Sequence, residues 1–194
     1  WGRPKNRRGQ EARLAHRRCG IMKRRSLRSV LSGQSLSSRL LQRGRINGTE
    51  KGKKNMKPVV CEHKVCYYET DRMDCVHHSN YIRWFEEARI WLMEVKDFGY
   101  DRLESMGIIS PVLRAEADYR SMTRFGETVE IETVVESYTG VRISFLYTVR
   151  NKADGALRCT GRTEHCFLNS AGRPVALRKA CPEYEERIRA VLAE

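Results

Sequence analysis

Beyond residue 55 the chain alternates between two-residue and helical spacing of its apolar side chains. Two-residue alternation predicts a first strand over Val59–Tyr68, with Val59, Cys61 and His63 on one face. Helical spacing then predicts a long helix over Tyr81–Lys96, with Ser79 or Asn80 as its N-cap. One broad apolar face of this helix is formed by Tyr81, Trp84, Phe85, Ala88, Trp91, Leu92 and Val95. Mostly on the other face we expect Glu86, Glu87, Arg89, Glu94 and Lys96.

Four further strands are predicted after a short helix, which runs over Tyr100–Met106 and ends at Gly107. The strand patterns cover Val112–Tyr119, Thr128–Tyr138, Val141–Arg150 and Ala156–Leu168. A terminal helix follows over Pro182–Leu192. Asp154-Gly155 is a strong hairpin signal, and we expect consecutive hairpins to join these four strands into an antiparallel arrangement. The predicted fold class is therefore α+β, with one antiparallel five-stranded sheet wrapped around the long helix.

The positive charge of the chain is concentrated in its first 55 residues. Residues 1–55 contain 17 Lys and Arg against 2 Asp and Glu, whereas residues 56–194 contain 20 against 22. The net charge of +13 therefore divides into +15 and −2. Residues 1–55 also contain only 9 Leu, Ile, Val and Phe, which is below the roughly 20% usually needed to form a core. We predict a disordered basic segment over 1–55 and one folded domain over 56–194.

Three origins of the basic segment are compatible with its composition. It resembles an arm for nucleic acid or anionic lipid, an Arg- and Ser-rich transit peptide, or upstream sequence that is not naturally translated. The first residue is Trp1, and the residues Glu50–Asn55 before Met56 require a purine-rich coding run like a bacterial ribosome-binding site. We therefore hypothesise a start at Met56. Abundant native peptides from residues 10–50 would contradict this hypothesis.

Composition also bears on the compartment and on cofactors. No run of 18 apolar residues and no signal-peptide core occurs in the sequence, which predicts no membrane span. The seven cysteines show neither a CxxC pair nor zinc-binding spacing, so we expect reduced thiols, a cytoplasmic protein and no metal. No phosphate-binding GxGxxG or P-loop pattern and no GxSxG elbow is present.

Candidate chemistry is concentrated between the first strand and the long helix. Asp71 stands in a polar turn, and His77, His78 and Asn80 follow just before the predicted helix. A carboxylate beside helix N-terminal N–H groups is suited to attack a carbonyl or to activate water. Asp71 is alternatively a simple Asx-turn residue. A Cys75–His nucleophile pair is less favoured, and so is a metal site, because adjacent histidines point to opposite sides of an extended segment.

The stretch 67–89 carries a recognisable motif. It reads Tyr-Tyr-Glu-Thr-Asp, five residues, His-His-Ser-Asn-Tyr, three residues, and Phe-Glu-Glu-Ala-Arg. This resembles the entry motif of the hotdog-fold acyl-CoA thioesterases of the 4-hydroxybenzoyl-CoA thioesterase-like family, and the likeness extends over about residues 57–190. The resemblance implies that Asp71 is the catalytic carboxylate, that Glu69 occupies a variable acidic position, and that His78 and Tyr67 assist catalysis. It also implies homodimers or homotetramers with active sites at subunit interfaces.

Asp74 departs from this family pattern, in which glycine usually occupies the position. Glycine permits a positive φ and close approach of a ligand. Aspartate tolerates the left-handed region better than most residues, so the turn is expected to persist. A second carboxylate near Asp71 would oppose ionisation of Asp71 if the two groups come close.

These observations predict an acyl-CoA thioesterase in which Asp71 is the nucleophile or the general base. Helix N-terminal amides from around His78 to Tyr81 would polarise the thioester carbonyl. Asn80 and Tyr81 are candidate substrate contacts, and Arg142 is a candidate contact for CoA phosphates. CoA is part of the substrate, and no cofactor is expected. Two alternatives remain, a thioesterase acting on acyl carrier protein and a non-catalytic acyl-CoA-binding module. Nucleic-acid binding through residues 1–55 is the third alternative and is not favoured.

Overall fold

The computed structural model describes residues 56–194, so the predicted basic segment lies outside the described residues. The helices are α1 (His78–Val95), α2 (Tyr100–Ser105), α3 (Leu177–Ala180) and α4 (Pro182–Ala193). The strands are β1 (Val59–Lys64), β2 (Ile108–Ile109), β3 (Val112–Tyr119), β4 (Thr128–Tyr138), β5 (Arg142–Asn151), β6 (Leu157–Cys166) and β7 (Leu168–Asn169). A 3₁₀ turn covers Tyr67–Glu69 between β1 and α1.

The five long strands form one antiparallel sheet in the order β1-β4-β5-β6-β3. This confirms the predicted α+β class and the five-stranded sheet. β3 does not form the expected hairpin with β4, and instead pairs with β6 at the far edge. The reason is that both edges of β4 are already occupied, by β1 and by β5. The short strands β2 and β7, which periodicity did not predict, pair with each other.

Helix α1 lies against the inner face of the sheet and forms the centre of the core. Its residues Trp84, Phe85, Ala88 and Leu92 are fully buried. The Phe85 ring stacks on Tyr147 of β5 at a centroid distance of 4.5 Å. Burying aromatic side chains from both elements supplies a large apolar area, which holds the helix in the sheet. The sheet-wrapped helix is the hotdog architecture that the sequence predicted.

Two residues of α1 lie on the opposite side from the one predicted. Val95, expected in the core, is 50% exposed because the helix ends there and the chain turns away. Arg89, expected on the polar face, is only 6% exposed. Arg89 follows Phe85 by four residues, so helical geometry places both on one face.

The junction between β1 and α1 also differs from its prediction. β1 ends at Lys64 rather than at Tyr68, because the carboxylate of Glu69 folds back and accepts the backbone N–H of Cys66 at 2.6 Å. Helix α1 begins at His78, and its N-cap is His77 rather than Ser79 or Asn80. Nδ1 of His77 accepts the N–H of Ser79 at 3.3 Å, which explains this cap.

Gly161 on β6 faces the ring of Phe85 so closely that a Cβ would overlap it, while also lying 3.0 Å from the carbonyl oxygen of Glu116. Overpacking of this kind typically costs about 1–3 kcal/mol. We expect Gly161→Ala to lower the free energy of unfolding by that amount in urea titrations. In a Phe85→Leu background the same change is expected to cost less, since the ring is absent. Equal costs in the two backgrounds would contradict this packing argument.

His165 on β6 predicts a loss of stability in acid. The residue is 1% exposed, and its Nε2 lies 2.9 Å from Oγ1 of Thr163. Burial lowers the pKa of His165 to about 4, and the positive charge of Arg89 adds to this effect. Between the ordinary pKa of about 6.5 and this lowered value, the unfolded chain binds a proton that the folded chain does not. The stabilisation is therefore complete above pH 6.5 and declines as the pH falls towards 4.

Over that range the wild-type protein is expected to lose about 3 kcal/mol relative to His165→Gln. Urea titrations between pH 4.5 and 7.5 measure the difference between the two proteins. His78→Gln is the matched control, because the His78 side chain is exposed and its replacement should cost little stability. Parallel profiles for the wild type and His165→Gln would contradict the assignment.

No helix within residues 56–194 is long and apolar enough to cross a membrane. None of the six cysteines in this part of the chain forms a disulfide.

Candidate active site

Asp71 begins a tight loop between the 3₁₀ turn and α1. Thr70 and Val76 form an isolated antiparallel bridge that closes the loop. Inside it, the N–H of Asp71 donates to the carbonyl of Cys75 at 2.9 Å, and the N–H of Asp74 donates to the carbonyl of Asp71 at 3.0 Å. Asp74 has φ of 58°, the left-handed conformation for which glycine was expected. The aspartate therefore occupies the family's glycine position without breaking the turn.

The carboxylate of Asp71 is half-buried and only partly engaged. Its Oδ1 accepts the backbone N–H of Met73 at 2.8 Å, which is an Asx-turn contact. The thiol of Cys75 lies 3.8 Å from the same oxygen. Among the described residues, Oδ2 has no hydrogen-bond partner. Oδ1 of Asp71 therefore has the structural role of an Asx-turn acceptor, whereas Oδ2 is available to water or substrate.

Asp74 directs its negative charge to Arg124. Nη1 of Arg124 donates to both the carbonyl oxygen and Oδ2 of Asp74, each at 2.9 Å. Both side chains are exposed, so the pair contributes little to stability. The pair does place the positive charge of Arg124 beside the carboxylate of Asp74. This charge reduces the repulsion between Asp74 and Asp71 that was expected from the sequence.

Glu69, which the sequence marked only as a variable acidic position, is the buried anchor of this loop. It is 4% exposed. Oε1 accepts Nε1–H of Trp84 at 2.8 Å, Oε2 accepts the N–H of Cys66 at 2.6 Å, and Nε2 of His63 lies 2.9 Å from Oε2. Burial alone would raise the pKa of Glu69, but the hydrogen bonds from His63, Cys66 and Trp84 outweigh it and lower the pKa. The group is thus held as a carboxylate.

The main chain of Glu69 connects the same loop to the start of α1. Its carbonyl oxygen accepts the N–H of His77 at 2.9 Å and Nδ2–H of Asn80 at 2.7 Å. Asn80, predicted to contact substrate, is buried and uses its side-chain amide for this internal bond. Glu69 therefore links β1, the Asp71 loop and α1. The one sequence signal for it was His63 on the inward face of β1, since a buried histidine needs a polar partner.

The N-terminus of α1 is packed against the end of β3. The hydroxyl of Tyr119 donates to the carbonyl oxygen of His78 at 3.0 Å. The His78 side chain is exposed, and its ring stands edge-on to Tyr119 at 6.4 Å. Tyr81, a predicted substrate contact, is buried and donates its hydroxyl to Oγ1 of Thr123 at 3.0 Å. The side chain of Tyr81 therefore fixes the helix start to the loop before β4.

Of the other two predicted site residues, Tyr67 lies in the 3₁₀ turn just before the Asp71 loop, and Arg142 lies far from that loop. Tyr67 is 78% exposed and packs edge-on against Phe125 at 5.6 Å. Arg142 begins β5, whereas the Asp71 loop lies by the other end of that strand, beside the start of β4. Nine residues of strand separate the ends of β5, which is roughly 30 Å. Within one protomer, Arg142 does not join the site.

Exposed apolar side chains surround the Asp71 loop. They are Tyr67, Tyr68, Met73, Met122 and Phe125. An apolar rim around a polar centre is typical of ligand sites and of subunit contacts. No group of three or more His, Cys, Asp or Glu side chains within residues 56–194 is arranged to hold a metal ion.

Comparisons with known proteins identify the family. Residues 65–191 match the thioesterase-like superfamily. A Bacillus subtilis (strain 168) protein named "Putative acyl-CoA thioesterase YneP" is 34% identical over 124 residues, covering 63% of this chain and 89% of the relative.

Two solved structures are also similar. The DHNA-CoA thioesterase from Staphylococcus aureus has a TM-score of 0.67 and 33% identity, covering 70% of this chain and 91% of that protein. A hypothetical protein from Thermus thermophilus has a TM-score of 0.61 and 33% identity, covering 69% and 97%. Fold, motif and matched range confirm the predicted family and enzyme class. The chain belongs to the thioesterase-like superfamily and is a thioester hydrolase of the hotdog fold.

Proposed function

We propose that the protein hydrolyses acyl-CoA thioesters to a free acid and CoA, with Asp71 as the catalytic carboxylate. The observation that carries the proposal is the unpartnered Oδ2 of Asp71, on a loop that leads directly into the N-terminus of α1. Glu69 anchors that loop through its bonds to Trp84 and Asn80, so the carboxylate of Asp71 is pre-positioned. The relatives named above, an acyl-CoA thioesterase and a DHNA-CoA thioesterase, favour CoA as the leaving group.

The geometry is compatible with two routes. In the first, Oδ2 attacks the thioester carbonyl, the C–S bond breaks, and CoA leaves as a thiolate that takes a proton from solvent. Water then hydrolyses the resulting anhydride and regenerates Asp71. In the second, Asp71 takes a proton from water while that water attacks the carbonyl, and the proton passes to the departing sulfur. The N–H groups of His77, Ser79 and Asn80 already have acceptors, so the N–H of His78, which has none among the described residues, stabilises the oxyanion. The side chain of His78 orients the water.

We further propose a homodimer in which the site is completed by the second copy. β3 is an edge strand of the sheet, and Val112, Leu113 and Tyr119 on it are exposed apolar residues. A long, exposed apolar edge strand tends to pair with another strand, and β3 of a second copy would provide one. Tyr119 contacts the first residue of α1, so such a partner would lie beside the Asp71 loop. Arg142 would reach a CoA phosphate only across subunits. Analytical ultracentrifugation of the wild type and of Leu113→Lys tests this association.

Acyl carrier protein thioesters are the second candidate substrate. The residues described by the structure carry a net charge of −2, which offers little attraction to an acidic carrier. Incubating the protein with CoA thioesters and with carrier thioesters of the same acyl groups distinguishes the two substrate classes. We expect release of CoA to be faster. Faster release from the carrier would overturn the choice of CoA.

A non-catalytic binding module is the third possibility, and it centres on Asp74. Because Asp74 already adopts the left-handed turn and pairs with Arg124, we expect Asp74→Gly to leave the rate of thioester hydrolysis nearly unchanged. Steady-state CoA release by the two proteins is the measurement. An inactive wild type that gains activity on Asp74→Gly would show that the natural chain is a binding module.

A further inference from the structure

A buried arginine lies on α1 well away from the Asp71 loop. Arg89 is eleven residues beyond His78, which places it about 16 Å along the helix axis. Its side chain belongs to the core face of the helix and is almost entirely removed from solvent. Burying a guanidinium without a counter-charge costs several kcal/mol. The surroundings of Arg89 are therefore informative.

The described residues compensate this charge poorly. Nη1 of Arg89 contacts Sδ of Met93 at 3.8 Å, which is a weak acceptor. Nε is buried and has no hydrogen-bond partner among the described residues. The ring of Tyr100 lies 5.9 Å from the guanidinium carbon and provides a cation–π contact. Within residues 56–194, no carboxylate forms an ion pair with Arg89.

Arg89 lines a small cavity. Arg89 and Ser110 are its polar lining residues together with Tyr184, and Met93, Phe98 and Phe145 contribute apolar walls. The cavity is about 210 Å³ including its mouth, but its enclosed part is much smaller. That space holds roughly one water-sized particle. A ligand here has at most a few atoms.

Neighbouring titratable groups leave the positive charge of Arg89 in place. Burial and Arg89 itself lower the pKa of His165 to about 4, so His165 is neutral at pH 7. Glu185 is on α4, the helix that lines the cavity, and Nε and Nη2 of Arg189 both bind its Oε1 at 2.6 Å. Its Oε2 is buried without a hydrogen-bond partner among the described residues, and the charge of the carboxylate is balanced by Arg189 rather than by Arg89. The region around the cavity therefore has an uncompensated positive charge and an unused N–H donor.

We propose that this cavity binds a single halide-sized monovalent anion against the guanidinium of Arg89. An anion satisfies the free N–H and neutralises the buried charge, whereas a water molecule achieves only the first. The site is distinct from the Asp71 loop and does not take part in thioester hydrolysis. Its effect is to stabilise the folded state by mass action.

The test is equilibrium urea unfolding of the full chain in sodium chloride and in sodium gluconate at equal ionic strength, because gluconate is too large for the cavity. At chloride concentrations ten times the dissociation constant, the folding equilibrium constant is expected to rise about tenfold. Arg89→Met should remove this chloride dependence. Arg83→Met is the matched control, since Arg83 is an exposed arginine on the same helix, and it should retain the dependence.

Crystals of the wild-type protein soaked in sodium bromide provide a second readout that does not depend on the folding of Arg89→Met. An anomalous peak beside the guanidinium of Arg89 is expected. A wild type that chloride does not stabilise, or an Arg89→Met protein with the same chloride dependence, would overturn the proposal. So would a protein carboxylate against Arg89, from Glu185 or from a second copy. A bromide peak without chloride-specific stabilisation would mean an adventitious ion only.

Discussion

Asp71→Asn is expected to lower the turnover number for CoA release by at least about 100-fold. The amide can neither attack the thioester nor accept a proton from water. The change is nearly isosteric, and the remaining carbonyl oxygen still accepts the N–H of Met73, so the loop keeps its turn. Steady-state kinetics with acyl-CoA measure the effect, and the Michaelis constant should change little because the lost interaction acts in the transition state.

Asp74→Asn is the matched control for this experiment. It removes a carboxylate from the same loop, but one that Arg124 engages and that has no role in the proposed reaction. Its turnover number should stay close to that of the wild type. If the two variants lose activity equally, the loss reflects loop charge rather than catalysis. Wild-type turnover by Asp71→Asn would refute the assignment of the catalytic carboxylate.

Glu69→Ala is expected to lower the free energy of unfolding by roughly 3–5 kcal/mol, the usual cost of removing one partner of a buried charged pair. The change leaves the N–H groups of Trp84 and Cys66, and one ring nitrogen of His63, without their acceptor. Urea or thermal unfolding measures the loss. Glu86→Ala, which removes an exposed carboxylate from α1, is the control and should cost little.

The same carboxylate predicts a pH dependence in acid. Because the pKa of Glu69 is lowered on folding, its stabilisation is present above the unfolded value of about 4.3 and is lost as the pH falls through the lowered folded value. Glu69→Gln should flatten the acid limb of the stability profile below pH 4.3. It should also reduce the turnover number through displacement of the Asp71 loop, while acyl-CoA binding persists. A Glu69→Gln protein with wild-type stability and turnover would contradict the anchoring role.

The elements of the fold that could be predicted were those whose apolar residues recur with strand or helix spacing. Alternating apolar residues marked β3 and β4 at their observed bounds, and helical spacing located α1 to within three residues. Strand partners are not encoded in periodicity, so the pairing of β3 with β6 was missed. The burial of Arg89 was missed for a different reason. Because arginine is charged, we assigned it to the polar face of α1, although its spacing from Phe85 places it on the buried face.

The site shows the same division. The Asp71 loop and the positive φ of Asp74 followed from motif and turn chemistry. The anchoring role of Glu69 depends on Trp84, fifteen residues further along the chain, and no local pattern links them. Asn80 and Tyr81 belong to the right region, but their side chains hold the loop and helix together. Tertiary contacts therefore determine which polar side chains make internal hydrogen bonds, as Asn80 and Tyr81 do, and which keep an atom available to substrate, as Asp71 does.

Cleavage of an acyl-CoA thioester by this protein releases free CoA, which a thiol reagent detects. The full-length protein is mixed with a panel of aromatic and aliphatic acyl-CoA substrates in large excess, and the released thiol is measured continuously. We expect many turnovers per protein molecule on at least one substrate, and a turnover number at least about 100-fold lower for Asp71→Asn. Binding of acyl-CoA without any release of thiol across the whole panel would contradict the proposed hydrolysis.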